Sequence, residues 1–123
     1  PEHLTTKEFF EMAKEKLSNN GVFIANVIGN LEQKPNSFAL SEMKTFMSVF
    51  ENSYFFAVTS PISTAPQNII FVGYKSDQKV NFLSGLSEKL IDISKFDFSQ
   101  QILLTDNYAP VEYLISKEFR NLQ

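Results

Sequence analysis

The chain has 123 residues, 43% hydrophobic and 20% charged, with a net charge of −3, which suits one small globular unit and excludes a disordered polar tail. It has no cysteine and a single histidine, which rules out disulfides, thiolate metal sites, a cysteine nucleophile and multi-histidine metal clusters. A pI near 5.1 argues against nucleic-acid binding, and no apolar run reaches the roughly 18–20 residues of a membrane span.

Pro1-Glu2-His3 lacks the basic-then-apolar pattern of a signal peptide, so the expected location is cytoplasmic. The first helix is expected over 6–19. Leu4-Thr5-Thr6-Lys7-Glu8-Phe9 reads as a capping box, with Thr5 accepting from the Glu8 N–H and the Glu8 carboxylate reaching back. Leu4 and Phe9 would form a hydrophobic staple, and Phe10, Ala13 and Leu17 continue the apolar stripe. Asn19-Asn20-Gly21 is a stop signal. Glu8, Glu11 and Glu15, interleaved with Lys7 and Lys14, read as a solvated face.

Residues 22–28 form a nearly continuous, β-branched apolar run. Such a run reads as a strand buried on both faces, in a sheet with helices on either side. Asn26 is its one polar residue, either a satisfied amide near the strand end or a group facing a cleft. After a polar loop with Pro35, Ser37 or Asn36 caps a second helix whose buried face is Ala39, Met43, Phe46, Met47 and Phe50. Two strands follow, over 54–59 and 69–74. The loop between them is too short for a crossover helix, so this pair should be antiparallel.

Lys75 to Lys79 is a polar turn, and Phe82, Leu86, Leu90 and Ile93 have helical spacing with Ser84 or Ser87 as caps. Phe96-Asp97-Phe98 reads as a loop packing its rings onto the body. Ile102-Leu103-Leu104 is a short apolar segment ending at Thr105-Asp106-Asn107. Pro110 opens a final helix, with Val111, Leu114, Ile115 and Phe119 on its buried face. No internal repeat or linker interrupts the chain. The order is helix, strand, helix, strand, strand, helix, helix, which reads as half of a doubly wound sheet.

Three stretches carry a family resemblance. Pro1 to Phe10, with Leu17, Gly21-Val22 and Asn26-Val27, resembles spermidine-synthase-like proteins just after their fourth strand. Leu104-Thr105-Asp106-Asn107-Tyr108-Ala109-Pro110-Val111-Glu112 is similar to a C-terminal segment of the same group, and Pro66-Gln67-Asn68 into Ile69-Ile70-Phe71-Val72 resembles the loop and final strand. The resemblance implies an α/β chain forming the C-terminal half of a methyltransferase-like Rossmann fold. Its mixed sheet would have a parallel strand and an antiparallel final strand pair, flanked by helices. Residues 1–123 would then be a partial domain whose cofactor-binding half is absent.

The implied parent activity is aminopropyl transfer to a polyamine from decarboxylated S-adenosylmethionine, or a related transfer using S-adenosylmethionine. The family's glycine-rich turn and catalytic Asp have no counterpart here, since Gly21, Gly29, Gly73 and Gly85 show no G-x-G spacing. The isolated chain is therefore expected to be inactive, with no catalytic, cofactor or metal ligand of its own. Substrate-mouth candidates are His3, Thr5, Thr6, Asn26, Thr64, Gln67, Asp106 and Tyr108, for which caps, packing and solvated positions are the competing roles. Thr64 stands where polyamine synthases carry an aromatic residue. A non-catalytic binding or dimerisation module is the alternative. A homodimer is expected in either case, because an unpaired strand 22–28 would leave an open edge.

Overall fold

The computed structural model describes residues 6–106. The first element, α1 (Lys7–Lys16), is capped by Thr6, whose hydroxyl accepts from the Phe9 N–H at 3.3 Å. The cap is thus one residue later than the expected Thr5, and the box expected between Thr5 and Glu8 falls on a residue outside the described ones. The Glu8 carboxylate accepts from the backbone of Asp106, a partner in space that no local pattern announces. Lys75 reaches the other end of α1 and donates to the Glu15 and Leu17 carbonyls, groups that a helix end leaves open.

Strand β1 (Val22–Gly29) leads to α2 (Phe38–Val49), then β2 (Asn52–Ala57) and β3 (Gln67–Tyr74). Ser37 caps α2, and Asn36 before it takes the left-handed backbone (φ 58°) that asparagine tolerates best among non-glycine residues. The sheet order is β1-β3-β2, with β3 antiparallel to both neighbours. The expected antiparallel pairing of β2 with β3 is present. No parallel ladder exists among the described residues, because β3 lies between β1 and β2 and pairs with each. Since both oppose β3, β1 and β2 run in the same direction.

The expectation that β1 is buried on both faces is also corrected. Phe23, Ala25 and Val27 pack toward the helices, whereas Val22, Ile24, Asn26 and Ile28 are exposed on the opposite face. Alternation of this kind marks a strand covered on one side. The covered side is a phenylalanine core. Phe46 meets the rings of Phe10, Phe23, Phe50, Phe55 and Phe71 at centroid distances of 4.8–6.0 Å, within the range of favourable aromatic pairs. Two glycines allow this close approach. A Cβ on Gly29 would stand 2.8 Å from the Ala39 Cβ, and one on Gly73 would stand 2.5 Å from the Phe50 ring.

Residues 82–93 do not form the helix their spacing suggests. A single turn, α3 (Ser84–Ser87), runs on into a hydrogen-bonded turn at 88–89, after which Leu90 bridges Phe56. The Ala57 N–H donates to the Lys89 carbonyl, and the Ile91 N–H to that of Phe55. Pairing with the free side of β2 satisfies backbone groups there, and it outweighs helical periodicity over so short a segment. Phe96 and Phe98 do pack against the core, as expected.

Beside them, Asp92 accepts from the side-chain hydroxyl and backbone N–H of Ser94, and Asp97 from the backbone N–H of Ser99. These bonds hold both carboxyls below their ordinary value. A depressed folded value means the turns are favoured above the usual carboxylate range and loosen as pH falls through the lowered values. The Ser94 and Ser99 amide resonances are therefore expected to move only in acid. Movement near neutrality would contradict this assignment.

Candidate functional site at the carboxyl edge of the sheet

The carboxyl ends of β1 and β2 face the same edge, where ligands bind in open α/β sheets. Gly29 at the end of β1 is in register with Gln67, so the β2–β3 loop stands beside it. The N-terminus of α1 is tied to the same region through Leu104, which packs with Phe38 and Val27 and accepts from the Lys7 N–H at 2.7 Å.

The most tightly built part of this edge is a clasp between α1 and the segment 104–106. Thr6, fully buried, donates its hydroxyl proton to the Asp106 carboxylate at 2.6 Å while accepting from Phe9. The Asp106 N–H donates to the Glu8 carboxylate at 2.9 Å. Two carboxylates therefore sit at the start of α1, where the helix dipole stabilises negative charge. The segment leading into the clasp is laid along α2 by side chains. Gln101 accepts from the Ser37 N–H and the Ser41 hydroxyl, and donates to the Lys34 carbonyl. The Leu104 N–H donates to the Thr45 hydroxyl oxygen at 2.9 Å.

Gln67, expected as a substrate-facing group, holds the β2–β3 loop instead. Its carbonyl oxygen accepts from the Thr59 and Ser60 N–H groups, and its amide donates to the Ser60 carbonyl at 2.9 Å. It is buried, with its side chain turned onto its own loop. Thr64 is exposed on that loop. Asn26 lies on the exposed face of β1, opposite Ile70, and so on the other side of the sheet from the clasp. Of the candidates, Thr6 and Asp106 are brought into direct contact. His3, Thr5, Tyr108 and the helix expected from Pro110 lie outside the described residues.

Sequence reasoning missed Gln101 and Thr45, and the role of Glu8 toward Asp106. A glutamine after a loop and a threonine inside a helix carry no periodic signal. Only their long-range partners reveal them.

The glycines do not suit a nucleoside cradle. None of the four has a positive φ, and Gly29 and Gly73 serve close packing against Ala39 and Phe50. Among the described residues no cluster of His, Cys, Asp and Glu could hold a metal ion, and no helix is long and apolar enough to cross a membrane.

No family model and no curated protein matches the chain. Among solved structures, it is similar to part of a probable spermidine synthase from Corynebacterium glutamicum ATCC 13032. The identity is 27% and the TM-score 0.47, with 69% of this chain covered. The match takes in 28% of that protein's length. The activity in that description is said of the Corynebacterium protein.

Proposed function

We propose that this chain contributes the C-terminal part of a spermidine-synthase-like transferase, carrying the carboxyl-edge wall of the site rather than the nucleoside cradle. The single observation that carries the reading is the 2.6 Å bond from Thr6 to Asp106. The two residues come from the opening and closing stretches that resemble the family, and their bond brings those two stretches together at the carboxyl edge. Strand direction supports the same reading. β1 and β2 are co-directional with α2 between them in the chain, and the last strand runs against both, as a methyltransferase-like sheet with an antiparallel final strand would have it.

In this reading the parent transfers a propylamine group from decarboxylated S-adenosylmethionine to a polyamine, or uses S-adenosylmethionine for a related transfer. The residues described here do not fit the nucleoside, and no step is assigned to them. Thr6, Glu8 and Asp106 fix the wall beside which an acceptor amine would lie. The isolated chain is inactive.

The test is aminopropyl and methyl transfer from the labelled donors to polyamines, by the whole polypeptide that the gene encodes. Transfer that falls at least tenfold in Asp106→Asn, with folding intact, supports the assignment. Full-length protein that is folded yet transfers neither group would overturn it. A non-catalytic module is the second reading, favoured by glycines committed to packing, and the same null result would select it.

A further inference from the structure

Residues 101–106 belong to no helix or strand, yet three alternate N–H groups among them are taken by side chains. Ile102 donates to the Ser41 hydroxyl oxygen at 3.2 Å, Leu104 to that of Thr45 at 2.9 Å, and Asp106 to the Glu8 carboxylate at 2.9 Å. Ser41 and Thr45 are fully buried and stand about one turn apart on α2. Four helical residues rise about 6 Å and two residues of extended chain about 6.6 Å. The two hydroxyls therefore repeat at nearly the spacing of alternate N–H groups. Each hydroxyl is also aimed. Thr45 donates its proton to the Ser41 carbonyl at 2.8 Å, and Ser41 donates its own to the Gln101 side chain at 3.3 Å, which leaves their lone pairs for the passing chain.

We propose that Ser41 and Thr45 are positioning residues, a two-step rail on α2 that sets the register of residues 101–106 and so delivers the Asp106 carboxylate to Thr6. What the clasp does in transfer rests on the function proposed above; the rail itself does not. Register matters because side chains alternate along an extended chain. As bonded, Leu104 is fully buried against Phe38, and its carbonyl accepts from the Lys7 N–H. A slip of one residue would turn Leu104 away from Phe38 and Asp106 away from Thr6. A slip of two would carry the carboxylate about 6.6 Å along the rail, out of hydrogen-bond reach. Gln101 fixes the start of the segment, since its amide donates to the Lys34 carbonyl and its backbone carbonyl accepts from the Lys44 ammonium at 2.9 Å. Leu104 and Phe38 form a small buried cluster beside the phenylalanine core, so the segment can lose its register while that core stays folded.

Thr45→Val removes the hydroxyl and keeps the shape, and Thr45→Ser returns it. Ser48→Ala is the control, a hydroxyl of α2 that bonds the Thr45 carbonyl of its own helix. Amide hydrogen exchange on the 123-residue chain reads the Lys7 N–H, which reports the segment through the Leu104 carbonyl and is itself unchanged. Thr45→Val is expected to speed exchange there at least about tenfold, the scale of a buried N–H left without its acceptor. Thr45→Ser is expected to restore protection and Ser48→Ala to leave it unchanged, with the β3 amides protected throughout. Ser41→Ala, at the other step of the rail, is expected to act as Thr45→Val does, and gives the same reading should valine disturb α2. Added to Asp106→Asn, which breaks the clasp directly, Thr45→Val is expected to change exchange less than about twofold, because a lost clasp cannot be lost again. Single effects that multiply in the double variant would overturn the proposal, and so would an unmoved Lys7 amide in both rail variants. In the whole polypeptide, transfer is expected to fall with Thr45→Val and return with Thr45→Ser. Transfer that holds while exchange rises would overturn the positioning role. A folded polypeptide that transfers nothing would strike the proposed function alone, and the exchange results would still decide the rail.

Discussion

Phe46→Ala is expected to destabilise the fold by about 3–5 kcal/mol, the cost of removing a large buried ring and leaving a cavity. Phe46 is fully buried and touches five other rings, contributed by α1, β1, the end of α2, β2 and β3. No neighbouring side chain can fill the space without breaking its own contacts, so relaxation is limited. Against a total stability of about 5–15 kcal/mol for a domain, the loss consumes much of the margin. Chemical denaturation of the two proteins measures it. A change below about 1 kcal/mol would mean that the core is looser than the ring geometry indicates.

Gly73→Val is expected to cost about 3 kcal/mol, toward the upper end for overpacking. Gly73 lies in the central strand β3, in register with Phe23 on one side and Ser53 on the other. A Cβ there would meet the Phe50 ring at 2.5 Å and Phe46 at 2.8 Å. The backbone angle is not the difficulty, since Gly73 has no positive φ. The penalty is steric, and both neighbours of β3 resist a shift. Gly85→Ala is the matched control, because nothing lies within 4 Å of its Cβ position, and it is expected to be neutral or stabilising by about 0.4–1 kcal/mol. Equal effects from the two substitutions would contradict the packing role of Gly73.

Local patterns made much of the helical side legible. Of the residues expected on the buried face of α2, Ala39, Met43, Phe46 and Phe50 are in the core, while Met47 is only partly buried against it. The antiparallel turn from β2 to β3 followed from a loop too short for a crossover. β1 was harder to read, since an apolar run of its length fits a two-sided central strand as well as an edge strand whose outer face is bare. Residues 82–93 kept a helical spacing that the backbone does not follow, because β2 offered hydrogen bonds from outside the segment.

At the candidate site, sequence pointed to Thr6 and Asp106 without joining them. Adjacent threonines leave the cap ambiguous by one residue, and the carboxylate that resolves it arrives from the far end of the described chain. Gln67 shows the opposite outcome. Its place in a loop that resembles a substrate-facing one suggested recognition, yet all its hydrogen bonds are spent on the loop backbone. Polar residues beside a cleft often shape it from behind in this way.

The division of labour proposed for this chain, edge wall present and nucleoside cradle absent, has a direct test. S-adenosylmethionine and its decarboxylated form are titrated calorimetrically into the folded 123-residue chain. No binding heat is expected at donor concentrations up to about 1 mM, a level that would reveal affinities near −4 kcal/mol. Saturable one-to-one binding of either nucleoside would contradict the division, and would place a cofactor site on residues assigned here to packing.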